Sequence, residues 1–160
     1  MTPSAVLALA LRILSDSGTP VGSPVQVVVP ANFPVIEARI APLRAFRRRI
    51  DGALDPVIYV LRTTQTFEQA AAGHAPSAVL VAGCIFHEWL HRNDDVDDEA
   101  SVLTKEAGFL QGYIARTLVR LSTDDRRFLQ RHIDQLRARA KRIVPTLQYT
   151  RKPSTQNVIQ

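Results

Sequence analysis

A chain of 160 residues with 46% hydrophobic and 22% charged residues has the size and balance of one globular domain, large enough to fold without a disulfide or metal merely to hold it together. Its single cysteine, Cys84, excludes an intrachain disulfide and fits a reducing compartment such as the cytoplasm, with secretion left open; no apolar run reaches the roughly 20 residues of a membrane span. The net charge of +5 is unevenly spread: residues 116 to 152 carry eleven basic residues against three acids, whereas residues 92 to 106 are acidic.

Residues 1–24 read as a loosely ordered N-terminal arm or short helix. Arg12 interrupts their apolar run, no basic region precedes it, and the turn-rich "SGTPVGSP" closes the segment. "VQVVVP" (25–30) is β-branched and bounded by prolines, so it predicts a strand. Pro34 and Pro42 break any long helix in the next stretch, leaving room for a short one over Ala41 to Ile50 with Arg44, Arg47 and Arg48 outward. "VIYVLR" (57–62) predicts a second strand. "TQTFEQAAAGH" has helical composition and stops at Gly73.

Residues 75 to 93, "APSAVLVAGCIFHEWLHRN", predict a helix with Pro76 near its start and apolar residues on nearly every side, the mark of a buried central helix. "NDDVDD" breaks it, and Asp94 and Asp95 read as loop. A further helix is expected from Asp98 to about Leu121, and another, capped by "STDD", from Asp124 to Val144, ended by Pro145. Strands early and helices late give an α+β domain over 25–147, followed by a polar tail at 148–160.

His87-Glu88-Trp89-Leu90-His91 fits the pattern H-E-x-x-H. Positions i and i+4 of a helix point the same way, so both imidazoles can meet one ion, and zinc takes neutral imidazole well. Glu88 would lie beside the metal, where it can take a proton from a zinc-bound water as general base. Burying two histidines and a glutamate among Val79, Leu80, Val81, Ile85, Phe86 and Leu90 is costly without a partner, and a metal is the natural one. The bland alternative is a pair of satisfied core histidines.

A catalytic zinc needs a third protein ligand. Glu99, Leu103, Glu106, Leu110 and Tyr113 share one face of the following helix. Glu99 leads as third ligand, with Asp97, Asp98 and Glu106 as alternatives. Glu106 could instead hold a histidine N–H from behind. Tyr113 is a candidate oxyanion donor; the commoner role for a tyrosine on such a stripe is core. Cys84, one turn before His87, reads as a buried thiol. His74 and His132 have no partner that the sequence names.

"HEWLH" followed by "DEASVLTKEAGFL" resembles the zincin metallopeptidases, the gluzincin-like ones above all. The resemblance covers roughly residues 57 to 114. It implies a zincin-like fold in which a small sheet packs on the active-site helix. It implies His87 and His91 as zinc ligands, Glu88 as general base and the Glu99-Ala100 pair as the ligand-glutamate segment. It also implies that "VIYVLR" is an edge strand taking up an extended peptide. The interval from His91 to Glu99 is shorter than in the large gluzincins, so the third ligand stays open.

The leading expectation is therefore a zinc-dependent peptidase acting on a peptide or protein substrate. The second is a nucleic-acid- or partner-binding module: "RRFLQRHIDQLRARAKRIV" is a basic amphipathic helix that could meet phosphates, an acidic partner or an anionic surface. Its plainer reading is a solvated face behind Phe128, Leu129, Ile133, Leu136 and Ile143. A third is a zincin-like fold with little activity.

Overall fold

The computed structural model describes residues 1–19, 21–93 and 98–148. Helix α1 spans Pro3–Asp16. Thr2 caps it by accepting from Ala5 N, and Pro3 sits where its missing N–H costs nothing. Val6, Ala10 and Leu14, spaced at i, i+4 and i+8, are fully buried. The expected loose arm at 1–24 is thus a packed helix over most of its length.

Strand β1 (Val25–Val28) leads to a 3₁₀ turn at Pro30–Asn32 and the short helix α2 (Glu37–Ile40). The helix expected at 41–50 does not form. In its place stand β2 (Ala45–Phe46) and β3 (Arg49–Ile50), and β3 pairs antiparallel with β4 (Ala53–Leu54). Between them Asp51 and Gly52 both have positive φ, 50° and 83°, the mirror-image turn that an Asp-Gly pair favours.

Strand β5 (Ile58–Leu61) pairs parallel with β1 and antiparallel with β2, so the sheet order is β1-β5-β2. All four β5 residues are buried. The central position corrects the expectation that "VIYVLR" is an edge strand. A fully apolar strand wants neighbours on both sides, and the edge strands of this sheet are β1 and β2.

Helix α3 spans Gln65–Ala71 and ends at Gly73, whose φ of 97° turns the chain into α4 (Ala75–Asn93). Residues 77–85 of α4 are buried without interruption. The helix is a partition. Ala78, Val81, Ala82 and Ile85 pack with α1, α3 and β5, while Val79 and Leu80 pack with α5 (Glu99–Arg116) and α6 (Thr123–Gln148). Leu103, Leu110, Leu129 and Ile133 are fully buried in that second cluster. Each contributes about 1.5–3 kcal/mol relative to exposure.

Two helix ends differ from expectation. α5 stops at Arg116 rather than Leu121, because the Thr117 hydroxyl donates to the Tyr113 carbonyl at 2.7 Å and closes the last turn. α6 continues through Pro145 to Gln148; so close to a helix end the proline costs little more than one hydrogen bond. The tail beyond Gln148, expected to be polar and loose, lies outside the described residues. The arrangement is α+β, and no helix among the described residues is long and apolar enough to cross a membrane.

Candidate metal centre

The last two turns of α4 carry His87, Glu88 and His91 out of the core, and the first turn of α5 returns Glu99 to meet them. Three atoms converge. His91 Nε2 lies 3.3 Å from His87 Nε2 and 3.3 Å from Glu99 Oε2, and His87 Nε2 lies 3.5 Å from the same carboxylate oxygen. These three residues form the one group among the described residues whose donor atoms could hold a metal ion together. Three lone-pair-bearing atoms this close need a proton or a cation among them.

On the far edge of its ring, His87 Nδ1 is bonded to Glu106 Oε2 at 2.9 Å. Glu106 is buried and packs where Gly83 leaves space. Glu106 is therefore placed behind the histidine and not among the converging atoms. Asp98 is also elsewhere: its Oδ1 accepts from Ala100 N at 3.1 Å as the cap of α5, and it is exposed. Asp97, with Asp94 and Asp95, lies outside the described residues.

The charges of the site depend on one another. Burial works against protonation of His87, but its bonds to Glu106 and Glu99 outweigh that and push it up to about 10. The bond to Glu99 likewise raises His91. Glu99, held by His87 and His91, is drawn down to about 2. Burial lifts Glu88 to about 7, against the pull of the two histidines. Cys84 is pushed up to about 12 by burial and stays a thiol.

His87, Glu88, His91, Glu99 and Glu106 all line one cavity of about 580 Å³. Its opposite wall is the run Pro42–Arg47, which includes β2, and Leu136 and Arg139 of α6 close it. Tyr113 does not line it. Fourteen residues along α5 from Glu99, it stands about 21 Å away along the helix axis and packs instead against the core cluster that includes Leu110 and Leu129. The expected oxyanion role has no support in its position.

Arg44 and Arg139 line the cavity and were not legible as site residues; nor was His132, which does not line it but is bonded to Arg44 at 3.0 Å. His132 and Leu136, at i and i+4, are buried on one face of α6, and Arg139, three residues on, sits exposed at the rim of the cavity. Arg127, Arg131, Arg137, Lys141 and Arg142 are also exposed. His74, the other histidine without an expected partner, is bonded to Ser77 Oγ at 2.7 Å and takes no part in the site. Comparison with family models, with curated proteins and with solved structures finds no match for this chain, so no family is identified.

Proposed function

We propose that the protein is a zinc-dependent peptidase, with His87, His91 and Glu99 as the metal ligands. The observation that carries this reading is the triangle of donor atoms with edges of 3.3, 3.3 and 3.5 Å. One face of a tetrahedron with zinc bonds of 2.0–2.2 Å has edges of about 3.3–3.5 Å. The donor set, two imidazoles and a carboxylate, is one that catalytic zinc uses, and it leaves a fourth position for chemistry.

Zinc held there would supply Lewis acidity, lowering the pKa of a water and polarising a carbonyl oxygen. The chain's own residues do the rest. Glu88 faces the same cavity with a carboxyl raised to about 7, poised to accept a proton near neutrality and return it to a leaving amine. Glu106 orients His87 from behind. Among the described residues β2 pairs with β5 alone, so its outer edge can align an extended peptide along the cavity by main-chain hydrogen bonds.

The test begins with metal content. Wild type supplied with zinc should hold one ion per chain by elemental analysis, and His91→Ala should lose it. A wild type that holds none sinks the reading. Glu88→Gln should keep the ion and lose at least ~100-fold in peptide hydrolysis; undiminished hydrolysis in that variant removes Glu88 as the base.

A further inference from the structure

The cavity beside the donor triangle is walled by three arginines from two distant parts of the chain. Arg44 and Arg47 flank β2, and Arg139 lies on α6. Arg139 Nη2 stands 3.8 Å from Glu99 Oε1, and Arg47 donates to the Asp55 carbonyl. Arg44 differs. Its Nη1 is bonded to His132 Nε2 at 3.0 Å, and among the described residues it has no ion pair with a carboxylate.

Arginine does not give up its proton, so His132 Nε2 must accept, and an accepting imidazole is neutral. Its surroundings enforce that state: burial first, then the charges of Arg44 and Arg139, push His132 down to about 4. Cys84 also faces Arg44 and remains a neutral thiol. Arg44 is held in place, since its carbonyl accepts from Leu61 N at 2.9 Å next to β2. A fixed guanidinium whose bonds go to neutral groups, on the wall of a cavity, keeps its charge available for an incoming anion. Its planar fork matches a carboxylate.

The geometry points to a carboxylate-binding subsite formed by Arg44, with Arg139 beside the same His132, next to the donor triangle. The substrates would then be peptides with a carboxylate close to the bond that reacts. That group is either the free C-terminal α-carboxylate or an acidic side chain. This inference rests on reading the cavity as the substrate site, but it concerns recognition and is testable without turnover.

The experiment uses the zinc-supplied Glu88→Gln protein and four matched fluorescent hexapeptides. They end in a free carboxylate or an amide, and carry Glu or Gln at one internal position. Binding is read by fluorescence anisotropy at low salt. At least one carboxylate-bearing peptide should bind about tenfold or more tighter than the amidated Gln peptide, as for a hydrogen bond to a charged group. The peptide that shows the gain identifies the source of the carboxylate. Adding Arg44→Gln should erase the difference, and adding Arg139→Gln should reduce it. Equal binding of all four peptides, no binding of any, or a preference that survives Arg44→Gln with Arg139→Gln would overturn the subsite.

A second readout fixes the geometry. In Arg44→Gln the His132 ring, followed by proton NMR, should titrate at higher pH than in wild type; an unmoved titration would mean that Arg44 does not stand where the subsite needs it. A carboxylate preference without hydrolysis by the wild type would leave the subsite standing and remove the peptidase reading.

Discussion

Glu106, only 4% exposed, bonds to Nδ1 of His87 at 2.9 Å. An ionised carboxylate can only accept, so it keeps a proton on Nδ1 and turns the Nε2 lone pair of His87 toward Glu99 and His91. The space for this is made on α4 itself. A Cβ at Gly83 would lie 3.4 Å from Glu106 Oε1 and 3.5 Å from Leu110 Cδ2, in ordinary contact, so the carboxylate packs close over the glycine and atoms beyond a Cβ would compete with it for that space. Glu106→Ala should weaken zinc binding by roughly 10–100-fold. Glu106→Gln keeps an acceptor and should cost less. Competition against a chromogenic chelator measures both, and equal affinities in the three proteins would remove Glu106 from the site.

Metal uptake should release protons. In the metal-free site His87 is raised to about 10 and His91 is raised as well, so His87 carries its extra proton at neutral pH. A metal takes only the neutral ring. Zinc binding at pH 7.5 should therefore expel about one proton or more per site. Apparent affinity should rise with pH and level off once His87 would be neutral without metal, near pH 10. Calorimetry in buffers of different ionisation enthalpy reads the proton count. A binding heat independent of buffer would contradict the charge state.

The parts of this arrangement that the sequence discloses are the local ones. α4 is legible because its apolar run is long and its polar triplet sits at helical spacing. Glu99 is legible because it opens the next helix eight residues after His91. The hairpin β3–β4 has a local signal that competes with the helical composition of Ala41–Ile50: Asp51-Gly52 is a two-residue turn pair, and both residues take positive φ. α1 also carried its signature, Thr2 before Pro3 and buried positions 6, 10 and 14, but a helix of that length is decided by what it packs on. Other features are not written locally at all. The central place of β5 depends on partners distant in sequence: Val28 of β1, 33 residues before its register partner Leu61, and Phe46 of β2, 13 residues before Tyr59. Arg44 and His132, 88 residues apart, meet only because β2 and α6 close the same cavity.

Asp55 ties down the wall that carries β2. Its Oδ1 accepts from Val57 N at 3.0 Å, and its Oδ2 accepts from the Tyr59 hydroxyl at 2.8 Å and from Arg48 Nη2 at 3.2 Å. Tyr59 in turn stacks on Phe46 of β2, with ring centroids 5.2 Å apart. The Val57 N–H leads in lowering the Asp55 pKa, helped by Tyr59 and Arg48, against the effect of burial. A depressed folded pKa means stability that is present above the unfolded value of about 3.9 and lost as pH falls through the folded one. Asp55→Asn should cost about 1–3 kcal/mol at pH 7 by leaving buried donors poorly matched. The gap should narrow in acid, as pH falls through the lowered folded pKa and wild-type Asp55 takes up its proton. Urea unfolding at pH 7 and at a series of acid pH values tests this; a gap that is unchanged throughout would assign the loss to packing.

The packing of α1 separates stability from metal binding. Leu14 is fully buried against the α4 side of the core, and α1 contributes nothing to the cavity that holds His87, His91 and Glu99. Leu14→Ala should cost about 2–5 kcal/mol, because the sheet and α4 cannot collapse far into the space it leaves. For a chain of this length that is a fall in Tm of roughly 5–20 °C. Zinc affinity of the folded fraction should stay within about twofold of wild type, since the mutation removes no charge or donor near the triangle. Thermal unfolding followed by circular dichroism, paired with the chelator competition, reads the two quantities independently. An unchanged Tm would return residues 3–16 to the status of a loose arm, and a large loss of affinity at full folding would mean that α1 helps to set the position of α4 at the histidines.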